Sequence, residues 1–288
     1  MKNILLIDSG NTRLKVAVIA VGAAGSAGAR TASTTAPAMA GDICAHAIDT
    51  NDVQGFNDWL AALPATPVAA LGTNVAGPAR AAGIQAALTR VGCPLRWVIP
   101  QARAHGLTSR YAKPEQLGAD RWASMLGVMA RLEGAPSGTP APFLLASFGT
   151  ATTIDTVSAD GVFEGGLILP GPALMRSSLS TGTANLPLVQ GDATAYPTDT
   201  QQAISSGVAA AQAGAVLRQW LAGIRLYGAP PRIYAAGGGW PEVETETRRL
   251  LEEAAASMGG LQTAITVIEN PVLYGLARIA AAENLGLS

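Results

Sequence analysis

Two stretches hold residues that could handle phosphate. The first is "DSGNTRLK" at 8–15, where Asp8, Gly10, Asn11, Thr12 and Lys15 lie between two apolar runs. A Gly-Asn-Thr turn offers backbone N–H groups that can converge on an anion, because glycine allows close approach and unusual dihedrals. Thr12 adds a hydroxyl, Lys15 a point positive charge, and Asp8 a carboxylate able to hold Mg2+ directly or through water. Phosphoryl transfer needs such a set: donors for the oxygens, cations for the developing charge, and positioning. The same residues also suit an Asx-type turn closing a hairpin, with Lys15 merely solvated. The second stretch, "FGTATTID" at 148–155, repeats the design. Gly149, Thr150, Thr152 and Thr153 form a donor-rich turn with no negative charge before Asp155, although threonines also suit strands.

Two further stretches carry polar or permissive residues. In "LGADRW" at 117–122, Asp120 and Arg121 stand at a helix start beside Gly118. A carboxylate there can take a proton from an attacking hydroxyl, and an arginine can pair with a substrate carboxylate. The alternative is an aspartate complementing the helix dipole next to a surface arginine. The glycines of "AAGGGW" at 235–240 suit close approach of a flat ligand such as adenosine, though glycine triplets also occur in ordinary loops.

The elements that must position these residues follow from periodicity. "NILLIDSGNTRLKVAVI" at 3–19 predicts a β-hairpin, with β-branched residues on both sides of a Gly-containing turn. Residues 22–41 are small and weakly patterned, either a loose loop or a third strand. A helix is expected over 52–63, capped by Asp52, then a buried strand at 67–74 ending in polar residues, a helix at 79–92 and the short strand "LRWVIP". A helix from 114, interrupted near Gly118, opens a new unit. "FLLASFGTATTIDTV" at 143–157 then repeats the opening hairpin, and "GVFEGGLILPG" adds a third strand. Helices at 200–225, 241–257 and 271–284 complete the pattern, with a strand at 232–240 running into the glycines. Gly10 and Gly149 lie about half the chain apart, which predicts a duplicated unit with a cleft between the halves. The boundary is expected between 113 and 114.

Composition bounds the rest. The chain has 288 residues, 49% hydrophobic and 14% charged, with 33 glycines. That is a globular composition long enough for two packed halves. A net charge of −1 gives no footprint for nucleic acid or an anionic membrane. Cys44 and Cys93 are too few and too far apart for a disulfide framework, which favours a reducing compartment. His46 and His105 are the only histidines, so a histidine metal cage is not expected. The N-terminal apolar run is short and interrupted by Asp8, unlike a signal peptide, and no segment can span a bilayer, so a cytoplasmic location is expected.

Taken in order, "DSGNTRLK", "LGADRWASMLG", "GTATTIDTV" and "GGLILPG", with "NPVLYGLARIA" near the end, resemble the type III pantothenate kinases, also called Bvg accessory factor homologues. The resemblance covers nearly the whole chain. It implies an α/β actin-like fold, shared by acetate and sugar kinases and heat-shock ATPases, with two ribonuclease H-like domains flanking a nucleotide cleft. The halves would be 1–113, with the first phosphate turn, and 114–288, with the second turn, the pantothenate pocket and the adenosine loop. The implied reaction is transfer of the ATP γ-phosphoryl group to pantothenate, giving 4'-phosphopantothenate on the route to coenzyme A.

Carried over by position, Asp8 would organise Mg2+. Gly10, Asn11, Thr12 and Lys15 would embrace phosphate, with Gly149, Thr150 and Thr152 as the second phosphate loop and Gly237 and Gly238 at adenosine. Asp120 matches the general base, and Tyr111, Gly118, Ala119, Asp120, Arg121 and Thr198 match the pantothenate pocket. Family members are homodimers whose pocket is completed by the partner subunit, which allows Thr198 to act across the interface. The sequence departs from the family at Ser147, where an aspartate two residues before the turn glycine is associated with a monovalent cation such as K+ or NH4+. A serine hydroxyl is a much poorer cation ligand than a carboxylate. Two other functions stay open on sequence alone: a non-catalytic accessory or regulatory protein on this fold, and a kinase for another small hydroxylated acid.

Overall fold

The computed structural model describes residues 2–21, 43–133, 140–188 and 191–285. The expectation for 22–41 therefore lies outside the described residues. Along the chain run β1 (Lys2–Ser9), β2 (Arg13–Val21), β3 (His46–Asp49), α1 (Val53–Ala61), β4 (Ala69–Asn74), α2 (Pro78–Arg90), β5 (Leu95–Trp97), β6 (Arg103–Ala104), β7 (Leu107–Ser109) and α3 (Ala119–Glu133). There follow β8 (Phe143–Phe148), β9 (Ala151–Val157), β10 (Val162–Pro170), α4 (Pro172–Gly182), α5 (Thr200–Tyr227), β11 (Arg232–Ala236), α6 (Trp240–Ser257), β12 (Ile265–Val267) and α7 (Pro271–Ala282).

Two compact units emerge, Met1–Thr139 with Asn270–Ser288, and Pro140–Glu269. This differs from the expected boundary at 113/114. The helix carrying "LGADRW" belongs to the first unit, and the chain returns to that unit at its end. The physical reason is the packing of α3 on α7. A Cβ on Gly127 would lie 2.0 Å from the Pro271 carbonyl oxygen, and one on Gly275 would lie 1.8 Å from that of Ala123. Two glycines thus let the helix backbones touch, a non-local contact with no local sequence signal.

In the first unit the strand order is β3-β2-β1-β4-β5. β1 pairs antiparallel with β2 and parallel with β4, while β3 extends the antiparallel side and β5 the parallel side. The central strand is covered on both faces, so Ile4–Ile7 is a continuous buried run rather than an alternating one. Leu5, Ile7, Leu14 and Val16 pack with Phe56 and Leu60 of α1 and Ile84 and Leu88 of α2. The opposite face is left for α3 and α7, which lie on β1 and β4. Residues Arg121–Val128 of α3 are all buried, as expected of a helix enclosed on every side.

The second unit repeats this topology. Its strands run β10-β9-β8-β11-β12, with β8 antiparallel to β9 and parallel to β11. Leu144, Ala146 and Phe148 pack with Val216 and Trp220 of α5 and Trp240 and Val243 of α6. The repeat expected from Gly10 and Gly149 is therefore present strand for strand, and the doubled α/β unit is the actin-like arrangement.

Several elements went unforeseen. The third strand of the first unit is β3, beyond the weakly patterned segment. β6 and β7 form a small hairpin turning at His105 and Gly106, both at positive φ (54° and 86°). A short 3-10 turn, Pro114–Gln116, precedes α3 where a continuous interrupted helix was expected. α4 was not expected. Cys44 and Cys93 are free thiols. Among the described residues no helix is long and apolar enough to cross a membrane.

Candidate active site

Asp8 is the next-to-last residue of β1, opposite Lys15 on β2 and Thr73 on β4. The Thr73 hydroxyl donates to Asp8 Oδ1 at 3.2 Å. Burial pushes the Asp8 carboxyl up to about 6, opposed by the charge of Lys15 and the Thr73 hydrogen bond and reinforced by the charge of Asp120. The hairpin and the start of α3 thus bring two carboxylates within electrostatic reach of each other. A cation between or beside them relieves both burial and repulsion.

The turn after Asp8 closes by the Gly10 N–H donating to Arg13 O at 3.1 Å. Gly10 does not use the left-handed region. What it supplies is close approach, since a Cβ there would sit 3.1 Å from that same oxygen. Asn11 and Thr12 are exposed at the tip, and Lys15 is half-buried behind it.

Asp120 stands in the first turn of α3, where the Trp122 N–H donates to Gly118 O at 3.0 Å. Its Oδ1 accepts the Arg121 N–H at 2.8 Å. Burial raises its carboxyl above the ordinary range, and the hydrogen bond and charge of Arg121 pull the other way. Gly118 makes room for this carboxylate: a Cβ there would fall 2.5 Å from Asp120 Oδ1. Ala119 is the first helical residue. Arg121 is buried rather than on the surface, donating to the Tyr111 hydroxyl at 3.2 Å with its guanidinium 6.0 Å from that ring centroid. Tyr111 is held in turn by its N–H on Ser109 Oγ at 3.2 Å. A kinase site in this unit would therefore have an acid–base carboxylate, a second carboxylate for a metal, an ammonium and a guanidinium.

In the second unit, the Gly149 N–H donates to Ala151 O at 3.1 Å and the Gly171 N–H to Thr150 O at 2.9 Å. Gly149 and Thr150 are exposed at the turn. Thr152 differs from expectation. Strand alternation turns it inward, so it is fully buried and its Oγ1 has no hydrogen-bond partner, instead of standing at the turn as an exposed donor. The glycine triplet abuts the same turn. Gly237 has φ 95° and no room for a Cβ, which would lie 2.4 Å from Phe148 O, and the Gly239 N–H donates to that oxygen at 2.9 Å. Gly237 and Gly238 are exposed just ahead of α6, and an Arg176–Glu242 ion pair ties α4 to the first turn of that helix. Thr198 is exposed before α5, its N–H donating to Gln202 Oε1 at 3.3 Å.

Ser147 pairs across the sheet with Thr153 and Ala236. Its strand end presents hydroxyls where the first unit has the Asp8–Lys15 pair, so the donors there do not fit a carboxylate-held monovalent cation. The Asp8 end does fit Mg2+, which commonly takes one or two protein carboxylates and fills its other positions with water and phosphate oxygens. Among the described residues no group of three or more His, Cys, Asp or Glu side chains gathers to hold a metal without such help. Sequence reasoning missed Thr73, although the polar end of its strand was a usable signal.

Residues 4–222 match the family model of type III pantothenate kinase. The type III pantothenate kinase of Bordetella petrii is 54% identical over 278 residues, covering 96% of this chain and 97% of that protein. The corresponding protein of Azoarcus sp. is 40% identical over 281 residues, covering 97% and 91%. Among solved structures, a Campylobacter jejuni protein assigned to the Baf family of transcriptional activators aligns with a TM-score of 0.52 at 16% identity, covering 97% and 98%. A Listeria monocytogenes protein assigned as an N-acetylmannosamine kinase gives 0.52 at 14%, covering 98% and 99%. These two likenesses concern the fold.

Proposed function

The chain belongs to the type III pantothenate kinase family, and from that premise we propose that it transfers the γ-phosphoryl group of ATP to the primary hydroxyl of pantothenate. The products are 4'-phosphopantothenate and ADP, and the step serves coenzyme A synthesis, in the cytoplasm and as a homodimer. The observation that carries the mechanism is the Asp120 carboxylate, desolvated at the start of α3 and within electrostatic reach of Asp8. Its raised proton affinity suits a base that accepts the hydroxyl proton as the oxygen attacks the γ-phosphorus. The bond from that phosphorus to the bridging oxygen breaks, and ADP leaves with the electron pair.

Asp8 would hold Mg2+ through its carboxylate or a bound water. Bound there, the ion supplies charge neutralisation to the phosphate oxygens. Gly10, Asn11, Thr12 and Lys15 bind phosphate in the first unit, and Gly149 and Thr150 in the second. Gly237 and Gly238 lie against adenosine. Thr152 drops out as a side-chain donor because it is buried. Arg121, braced by Tyr111, recognises the pantothenate carboxylate with Gly118 and Ala119 beside it, and Thr198 contributes to the partner subunit's pocket across the dimer interface.

The test is a coupled assay of ADP release with Mg-ATP, with and without pantothenate. Pantothenate-dependent turnover is expected, and Asp120→Asn should lower it by about 100-fold or more, the scale of general-base catalysis, with the melting temperature no lower than the parent's. ADP release indifferent to pantothenate overturns the function. Wild-type turnover in Asp120→Asn removes that residue from the base role.

A further inference from the structure

The first phosphate turn is held from outside by a residue that has no place in the phosphate chemistry itself. Thr50, between β3 and α1, donates its N–H to Thr12 O at 3.1 Å and its hydroxyl to Gly10 O at 2.8 Å. With Arg13 O taken by the Gly10 N–H, the Gly10, Thr12 and Arg13 carbonyls all point at protein donors. Such carbonyl oxygens would otherwise repel a phosphate brought to the turn.

The planar trans peptide turns this into a statement about a donor. The Gly10 carbonyl and the Asn11 N–H belong to one rigid plane and point in opposite directions. Anchoring the carbonyl on Thr50 therefore aims the Asn11 N–H away from the protein, and that N–H donates to none of the described residues. The mount is stiff. Asp49 Oδ1 accepts the Asn51 N–H at 2.8 Å, the Asp52 N–H donates to Asp49 O at 3.0 Å, and Asp52 Oδ1 caps α1 through the Gly55 N–H at 2.7 Å.

The second unit repeats the device independently. Gly171 joins β10 to α4 as Thr50 joins β3 to α1, and its N–H takes the Thr150 carbonyl as that of Thr50 takes the Thr12 carbonyl. There a side chain has no room, since a Cβ on Gly171 would lie 2.0 Å from Gly149 O. The first copy adds the hydroxyl bond that the second cannot have.

We propose that Thr50 is a positioning residue for the nucleotide, whose hydroxyl orients the Gly10–Asn11 peptide so that the Asn11 N–H meets a phosphate oxygen. This rests on the phosphate role proposed for the turn. Thr50→Val keeps the side-chain shape and the backbone N–H but loses the hydroxyl, while Thr50→Ser keeps the hydroxyl. Steady-state kinetics should show KM for Mg-ATP raised about tenfold in Thr50→Val, the scale of one misaligned hydrogen bond to a charged group, with KM for pantothenate unchanged. Mg-ADP affinity by calorimetry should fall by the same factor, and Thr50→Ser should restore both. Wild-type Mg-ATP KM and Mg-ADP affinity in Thr50→Val overturn the proposal, as does equal impairment of the valine and serine variants. A wild-type protein that binds Mg-ADP but shows no pantothenate-dependent turnover defeats the proposed function alone, because the calorimetric comparison still decides the role of Thr50.

Discussion

Asp8 offers a test in which function and stability move in opposite directions. Asp8→Asn keeps the shape and an oxygen for the Thr73 hydroxyl but removes the charge. In the folded protein without metal, Asp8 titrates at about 6 instead of the ordinary 3.8, chiefly through burial. Between those two values the native state binds more protons than the unfolded chain, so stability falls as pH rises through that window. At about 1.4 kcal/mol per pH unit, the ionised carboxylate costs the fold about 3 kcal/mol at neutral pH. The variant should therefore be more stable than the parent at pH 7.5 by up to about 3 kcal/mol, which is roughly 6 °C or more in Tm for a unit of this size.

The assay is thermal melting of both proteins in the presence of a chelator, at pH 7.5 and again at about pH 4, close to the unperturbed carboxyl pKa. The difference should shrink toward zero at the lower pH, where the native carboxyl is protonated in the parent as well. Turnover of Asp8→Asn with Mg-ATP should meanwhile fall by about 100-fold or more, the scale of losing one preorganised electrostatic contact. The reasoning fails if the variant melts at or below the parent at pH 7.5, or if its advantage is the same at both pH values.

Other perturbations follow from distances already given. Gly118→Ala places a Cβ 2.5 Å from Asp120 Oδ1, so the carboxylate must move; kcat should fall about tenfold or more through misplacement of the base while Tm holds, as kinetics and melting will report. Gly275→Ala puts a Cβ 1.8 Å from Ala123 O and must part α3 from α7; denaturant titration should show a loss of about 1–3 kcal/mol or more, as for overpacked cores. Because Ser147 and Thr153 offer hydroxyls and no carboxylate, turnover should be the same in K+, NH4+ and choline salts, and stimulation by K+ would show a cation held by other donors.

What the sequence disclosed was local. The hairpins at Gly10 and Gly149 were legible because β-branched runs flank turn residues, and α5 and α6 because their apolar spacing is long. β3 was missed because "HAID" is four residues with a single buried position, Ile48. The β6–β7 hairpin turns on His105–Gly106, and a histidine at positive φ lacks the Asn-Gly signature that marks such turns. α4 had a start signal in Pro172 after Gly171 but buries only Pro172, so no apolar stripe announced it. At the candidate site, residue types pointed to Asp8, Lys15 and Asp120. Thr73 and Thr50 act across 65 and 40 residues of chain, and only the fold brings them to their partners.

The doubled topology also exposes an asymmetry with chemical content. At equivalent strand ends the first unit sets Asp8 against Lys15 and the second sets Ser147 against Thr153. The first unit adds a buried carboxylate and a buried guanidinium at the start of α3. The second adds a glycine triplet, of which Gly237 and Gly239 lie against the Phe148 carbonyl. Buried carboxylates with raised proton affinity suit bond making and metal holding, whereas neutral hydroxyls, backbone amides and glycines suit binding a ligand without reacting with it. On the proposed reaction, the two copies of one fold have therefore divided the work: the first unit carries the base and the metal-holding carboxylate beside its phosphate turn, and the second only binds the nucleotide. That division predicts the character of damage as well. Substitutions at the second turn and the glycine triplet should act mainly on the KM for ATP. Substitutions at Asp120 should act on kcat, and a variant at Gly237 that lowered kcat alone would argue against the division.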